Sequence, residues 1–502
     1  MYPSIINLEI SLFFGSHSFT VMVKPTAYPA IANAPLTGLA EGNDKFSNIQ
    51  LAGLVLFVPW LLKRLLPLFS RGGFKTYLFL LLLTGVPTTL AYWMVMSRIG
   101  SRKNNKVLLP GQDIEAYITI KDPELKKLYH GKDKIPMQVF HDAYFDGKIE
   151  FNGDVLEIME QRHDWATFHM TWELLKYVLT VLVPDVVTHS SEQDSDQVTE
   201  HYDRGNDFYS WFLGPRMIYT SGVINDPDRK ETLEELQDNK LRVVCSKLNL
   251  KPEDRLLDIG CGWGTLTAYA AKNFGCDATG VTLAKNQTEF GNKRIADNSI
   301  PSTQARILCM DFREIAATKP AGTYTKIVSL EMAEHVGIRR YQTFLRQVYN
   351  LLDDDGIFVF QVAGLRQCWQ YEDLNWGLFM NKYVFPGADA SCSLGWVINQ
   401  LEKANFEVKS VDVLGVHYSA TLHRWYENWL SHRAEVEEKY GERWYRIWAF
   451  FLAWSVISSR QGSASVFQIT LHKNLNAYHR VEGVKTHASI HVQAEKEPEL
   501  IL

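Results

Sequence analysis

Apolar positions along the chain fall into three regimes, each with its own period. The first is continuous. "NIQLAGLVLFVPWLL" (48–62) runs fifteen residues before Lys63 and Arg64, and "YLFLLLLTGVPTTLAYWMVM" (77–96) runs twenty without a charge. A helix of about twenty apolar residues crosses a hydrocarbon core of about 30 Å. The pair predicts a transmembrane hairpin over 48–97, or a first helix lying in the interface with its basic end reaching for water. Lys63, Arg64, Arg71 and Lys75 lie between the runs, and Arg98, Arg102, Lys103 and Lys106 follow the second, so charge does not set the orientation. Residues 1–47 mix Pro, Ala, Gly and Asn without lasting periodicity and read as poorly ordered. They also lack the basic region leading into an apolar run that a signal peptide requires.

The second regime is a small mixed unit over 107–190. In it "QDIEAYITI" alternates like a strand, and "WATFHMTWELLKYVLTVLV" (165–183) reads as a mostly apolar helix. A Ser/Asp-rich link, "THSSEQDSDQ" (188–197), closes it. The third regime, 198–480, places short apolar runs ("RLLDIG", "DATGVTL", "ARILCMDF", "KIVSLEM", "GIFVFQVA") between helix-like stretches such as "TLTAYAAKNF". That alternation predicts βαβ units and a mainly parallel sheet. Beyond residue 421 the pattern becomes helical and aromatic, with Trp425, Trp429, Trp444, Trp448 and Trp454 within thirty residues. Core packing and an apolar channel for a long chain both fit that stripe. Residues 481–502 form a tail.

Composition adds exclusions. Hydrophobic residues are 46% and charged residues 22% of the 502, the balance of a globular protein. A net charge of −5 argues against nucleic acid as a partner. The six cysteines (245, 261, 276, 309, 368 and 392) include no C-x-x-C pair, so neither a structural metal nor a disulfide framework is expected, and reduced thiols facing the cytosol are.

The chemistry concentrates at "LLDIGCGWG" (256–264). Its G-x-G-x-G spacing is neither the G-x-G-x-x-G of dinucleotide sites nor a P-loop. A three-glycine turn after Asp258 suits S-adenosylmethionine, because Gly260, Gly262 and Gly264 let the backbone approach the amino-acid end of the cofactor. In "GVTLAKNQ" (280–287) Gln287 stands at the next strand end as a ribose partner, and in "CMDFRE" (309–314) Asp311 can accept from an adenine amino group. No metal is required.

These motifs, with "HYDRGNDFYSWFLGPRMIYTSG" (201–222), "EMAEHVG" (331–337), "NKYVFPG" (381–387) and "HYSATLHRWYENW" (417–429), resemble in order those of the cyclopropane-fatty-acid synthases and related lipid methyltransferases. "AYFDGKIEFNGDVLEIM" (143–159) is similar to the family's N-terminal unit. The hairpin is not shared with soluble bacterial members, and its combination with this domain resembles the fungal sphingolipid C9-methyltransferases. The resemblance implies a Rossmann-like class I methyltransferase α/β fold with helical lipid-binding additions and an N-terminal two-helix membrane anchor. It implies donor contacts at Tyr219 and Thr220, along Leu256, Leu257, Asp258, Ile259, Gly260, Cys261, Gly262, Trp263 and Gly264, along Thr282, Leu283, Ala284, Lys285, Asn286 and Gln287, and at Phe312 with Arg313. The implied substrate is a ceramide or glucosylceramide in the membrane. The implied location is the endoplasmic reticulum, with the catalytic domain facing the cytosol.

Methyl transfer to an isolated alkene leaves a carbocation, and a base must then remove a proton. Loss from the new methyl closes a cyclopropane; loss from the methylated carbon restores the double bond with a branch. By resemblance, cyclopropane-forming relatives hold a bicarbonate as that base with a Cys, a Glu, a His and a Tyr. This chain offers Ser221, Glu334, Gln361 and Tyr418 at those places, and Ser455 where another family cysteine stands. The relatives also carry a glycine where this chain has Glu331. That substitution predicts Glu331, helped by Tyr418, as base or as its orienting group; contact with the cofactor, or with solvent only, is the alternative. The expected reaction adds a methyl to carbon 9 of a Δ8-unsaturated sphingoid base. Cyclopropane synthesis on phospholipid acyl chains and a non-catalytic lipid-binding scaffold are the rivals.

Overall fold

The structure is a computed structural model that describes residues 26–32, 47–99, 109–182, 205–367, 370–388 and 390–475. Most of the N-terminal 47 residues, the Ser/Asp-rich link and the tail lie outside the described residues.

Seven strands form the central sheet: β1 Arg255–Ile259, β2 Asp277–Thr282, β3 Ala305–Cys309, β4 Tyr324–Leu330, β5 Leu352–Leu365, β6 Phe406–Val413 and β7 Ala464–Lys473. Their spatial order is β6-β7-β5-β4-β1-β2-β3. The five strands from β3 to β5 run parallel, as the alternation of apolar runs and helices predicts. Strand β7 inserts antiparallel between β5 and β6. Here the helical reading beyond residue 421 needs correction, because "ASVFQITLHK" returns to the sheet. It is buried on both faces, so its apolar residues show no clean alternation.

The hairpin consists of α1, Asn48–Leu65, and α2, Phe74–Ile99. At 1.5 Å per residue they reach about 27 and 39 Å. Both are long and apolar enough to cross a membrane, with mean hydropathies of 1.2 and 1.7. Their outer faces leave Leu82 and Leu83 uncovered, while the Tyr77 hydroxyl donates to Leu56 O at 3.0 Å between them. The second helix is tied to the following unit where Ser97 Oγ accepts from the Met170 N–H.

The expected helix over 165–183 is shorter than its apolar pattern. Ala166–Thr167 pairs in parallel with Ile135–Pro136, and the helix begins only at Trp172, where Thr171 caps it through the Leu174 N–H. A threonine at that position offers the backbone a side-chain acceptor, and so an ending to the extended segment. The alternating "QDIEAYITI" is likewise split, into a turn at Ile114–Ala116 and a three-residue strand, Ile118–Ile120.

Four helices frame the site: α3 Leu233–Leu248, α4 Thr265–Phe274, α5 Gly415–Ser431 and α6 Glu442–Arg460. Trp425, Trp429, Trp448 and Trp454 on the last two are fully buried, joining Phe140 and Trp165 of the N-terminal unit in one aromatic core. Core packing accounts for this part of the stripe. A buried ion pair, Arg162 Nε to Glu372 Oε1 at 2.6 Å, ties the N-terminal unit to the sheet domain.

Candidate active site

A cleft opens at the carboxyl ends of β1 to β4. In a parallel sheet this edge gathers loop backbone and helix N-termini, which suits polar ligands. The glycine turn forms its floor. Gly260, Gly262 and Gly264 all adopt left-handed φ, of 76°, 53° and 71°. A Cβ on Gly260 would come within 2.5 Å of Met332 Cγ, and one on Gly264 within 2.9 Å of Ile307 Cδ1. A Cβ on Gly262 would meet nothing within 4 Å, because it would project into the cleft that Gly262 lines. The turn thus has two glycines required by packing and one whose missing side chain leaves room for a ligand.

Of the other predicted donor residues, Ile259, Thr282, Leu283, Gln287, Asp311, Phe312 and Arg313 line the cleft. Gln287 Oε1 accepts from Thr282 Oγ1 at 2.6 Å, which leaves its amide N–H groups for a ligand. Asp311 caps the Phe312–Thr318 helix through the Arg313 N–H and is paired with the Arg313 guanidinium, so much of its acceptor capacity is engaged. Leu256 and Leu257 are sheet core, and Asp258 is buried at the end of β1, accepting from Thr267 Oγ1 at 3.1 Å. Burial raises the Asp258 carboxyl to about 7. Trp263 packs on Tyr209 and donates to Asn206 Oδ1 at 2.8 Å. Cys261, Ala284 and Asn286 do not line the cleft, and Lys285 is exposed beside Glu289. Tyr219 packs among Tyr209, Phe385 and Trp425, and Thr220 Oγ1 accepts from Lys240.

Three of the five predicted chemical residues, Ser221, Gln361 and Tyr418, converge on the carboxylate of a fourth, Glu331. Glu331 follows β4 directly and holds φ of 55°, a conformation natural to glycine and strained for glutamate. Its Oε1 accepts from the Ser221 N–H at 3.1 Å and from Gln361 Nε2 at 2.6 Å, and its Oε2 from the Tyr418 hydroxyl at 3.1 Å. The Ser221 hydroxyl turns away to Gly222 O, so the serine contributes backbone rather than side chain. Glu331 also lines the cleft, with Gly260, Gly262 and His335.

Electrostatics divide the neighbouring acids. Burial pushes Glu331 up, opposed by the Lys240 ammonium and by its three donors. Burial and the adjacent Glu331 charge raise Glu334 to about 8. Glu334 Oε1 accepts from the Ala363 N–H, and Oε2 is buried with no hydrogen-bond partner among the described residues. Burial thus raises both carboxyls, and two like charges side by side are disfavoured, so the pair tends to hold a proton at neutral pH, with Glu334 the less well supplied with donors. His335 lines the cleft and is held neutral, with burial lowering it to about 4.

Lys240 carries no motif and is missed by sequence reasoning. It is buried on α3, where its charge faces both Glu331 and Asp258 and burial lowers it to about 8. Its only sequence signal is a lysine at a position the helical period assigns to the core.

Comparison with known proteins gives the family. The family profile for mycolic acid cyclopropane synthetase matches residues 189–469. Sphingolipid C9-methyltransferase 2 of Gibberella zeae is 55% identical, over 94% of this chain and 89% of its own. Sphingolipid C9-methyltransferase A of Emericella nidulans is 54% identical, over 92% and 89%. Among solved structures, the mycolic acid cyclopropane synthase CmaA1 complexed with SAH and CTAB is 27% identical, with a TM-score of 0.51 over 56% of this chain and 98% of that one. The glycine floor, the strand-end polar residues and these likenesses agree: the chain belongs to the mycolic acid cyclopropane synthetase family, on its sphingolipid C9-methyltransferase branch, and is an S-adenosylmethionine-dependent methyltransferase.

Proposed function

We propose that the enzyme methylates carbon 9 of the Δ8-unsaturated sphingoid base of a ceramide or glucosylceramide, and that Glu331 then removes the proton from that carbon to restore the double bond. When bound, S-adenosylmethionine supplies an electrophilic methyl group on its sulfonium. Gly262 admits its amino-acid end, Gln287 offers amide donors to the ribose, and Phe312 and Arg313 wall the adenine side. Asp311 contributes chiefly by holding Arg313 and capping the helix.

One observation carries the reading. The groups at the family's bicarbonate positions, Ser221, Gln361 and Tyr418, hydrogen-bond a carboxylate of this chain, that of Glu331. A tethered carboxylate replaces a diffusible one. Keeping a glutamate at a left-handed position costs about 1 kcal/mol or more relative to glycine, a strain typical of functional sites. Three donors and Lys240 favour the ionised form of Glu331 against the burial that raises its proton affinity, and a neutral Glu334 beside it avoids a second charge. The apolar surroundings of Tyr219, Phe385 and Trp425 exclude water from the cation and offer it aromatic faces. Helices α1 and α2 would hold the protein in the endoplasmic reticulum membrane, with the catalytic domain in the cytosol and the lipid within reach.

Glu331→Gln keeps the shape and removes the base. It should bind S-adenosylmethionine with unchanged affinity in calorimetry. Turnover should fall by about 10²- to 10⁴-fold, the usual worth of a general base, or part of the product seen by mass spectrometry should shift to a cyclopropane. Added bicarbonate should have little effect. A normal rate with normal branched product would refute the role and leave Glu334 with Tyr418 as the better candidates.

A further inference from the structure

A row of polar side chains crosses the sheet behind Glu331. Asp412 on β6 lies opposite Gln468 on β7, and Gln468 lies opposite Gln361 on β5, so the three share one face of the sheet. Gln468 and Gln361 are fully buried. Two buried amides are costly unless every polar atom is matched. Lys247, in the last turn of α3, descends onto the row and is itself buried.

The bonds run in one direction. Lys247 Nζ donates to Asp412 Oδ2 and to Gln468 Oε1, both at 2.5 Å. Gln468 Nε2 donates to Gln361 Oε1 at 2.8 Å, and Gln361 Nε2 donates to Glu331 Oε1 at 2.6 Å. An amide can turn either end toward a neighbour, but an ammonium only donates and a carboxylate only accepts. With Lys247 at one end, the Gln468 oxygen must face it. The Gln468 nitrogen then faces Gln361, and the Gln361 nitrogen is left to face Glu331.

We infer that Lys247 and Gln468 are positioning residues that set the direction of the Gln361 amide, so that an N–H rather than a carbonyl meets the Glu331 carboxylate. A carbonyl in that place would repel the charge and favour protonated Glu331, which cannot act as a base. The inference rests on the reading of Glu331 as the base. The other groups facing Glu331 are Lys240 of α3, the Ser221 N–H, Glu334 and Tyr418 of α5; Lys247 itself faces Asp412.

Polarity and packing predict opposite orders for two variants. Gln468→Glu is isosteric and keeps a partner for Lys247, but its carboxylate only accepts, so Gln361 must turn its N–H away from Glu331. Gln468→Leu leaves a poorer fit but lets Gln361 keep its N–H on Glu331. The polarity reading therefore expects Gln468→Glu to lose more. Its kcat should fall about 10- to 100-fold, the worth of a hydrogen bond to a charged group. The acid limb of its kcat–pH profile should move up by about one unit. Donor affinity in calorimetry should stay at the wild-type value, and Gln468→Leu should show the smaller loss and little shift of the limb. Equal losses, or a greater loss in Gln468→Leu, would mean packing alone and overturn the inference. Should Gln468→Glu fail to fold, Lys247→Met carries the test: kcat should drop with donor affinity unchanged and recover in Lys247→Arg, and a wild-type kcat and profile would overturn it. Glu331→Gln, assayed alongside, separates the two claims. If it is inactive while Gln468→Glu behaves as wild type, only the positioning role fails; if it is fully active, the base falls and the positioning role with it.

Discussion

Replacing Glu334 with glutamine should stabilise the protein at alkaline pH and change little at pH 5. The Glu334 carboxyl is 6% exposed, and only one of its oxygens has a hydrogen-bond donor among the described residues. Burial, then the charge of Glu331, raises its pKa from 4.5 to about 8. The folded state therefore keeps a proton that the unfolded chain releases above about 4.5. Stability falls with rising pH wherever the native state binds more protons than the unfolded one. The Glu334 contribution should thus be fully present below the unfolded value, decline between about 4.5 and 8, and level off above. At about 1.4 kcal/mol per unit, the whole decline is at most roughly 4 to 5 kcal/mol. A glutamine mimics the protonated acid at every pH. Wild type and Glu334→Gln, unfolded in detergent at pH 5, 7 and 9, should have similar midpoints at pH 5 and diverge in favour of the variant by pH 9. At about 2 °C per kcal/mol for a domain of this size, the gap should reach roughly 8 °C. Parallel stability curves for the two proteins would refute the claim that burial and the Glu331 charge keep Glu334 protonated.

Two further outcomes test the donor floor and the anchor. Gly262→Val should fold, at a cost of about 1–2 kcal/mol for its left-handed φ, yet lose S-adenosylmethionine affinity by at least about 100-fold in calorimetry because its side chain fills the cleft; unchanged affinity would remove the turn from the cofactor site. Full-length protein should stay with membranes in carbonate, whereas deletion of residues 48–96 should release it with donor affinity intact, since that deletion spares both Ser97 and the Tyr28 hydroxyl bond to Glu231; carbonate release of the full chain would favour an interfacial or soluble attachment.

Much of this protein is determined locally and is therefore readable in the sequence. Continuous apolar runs specify α1 and α2, because length and the absence of charge are properties of one segment. Short apolar runs between helical stretches specify the parallel strands, and "GCGWG" specifies the cofactor turn, because left-handed φ values call for glycine wherever the chain folds. The order of motifs carries the family, and it singles out Glu331, Glu334 and Tyr418 as candidates. Other features exist only once distant segments meet. The helix over 165–183 loses its first turns to a pairing with Ile135–Pro136, which no local propensity records. Ser221 meets Glu331 through its backbone, a contact that side-chain chemistry cannot foretell. Lys240 and Lys247 look like ordinary helical lysines until α3 packs against the sheet and buries them beside Glu331 and Gln468. Gln361 and Gln468 are 107 residues apart, and the register of β5 against β7 makes them neighbours. A sequence specifies which groups are present, but the strength and direction of a hydrogen bond depend on separation and burial, and only the packed sheet sets those.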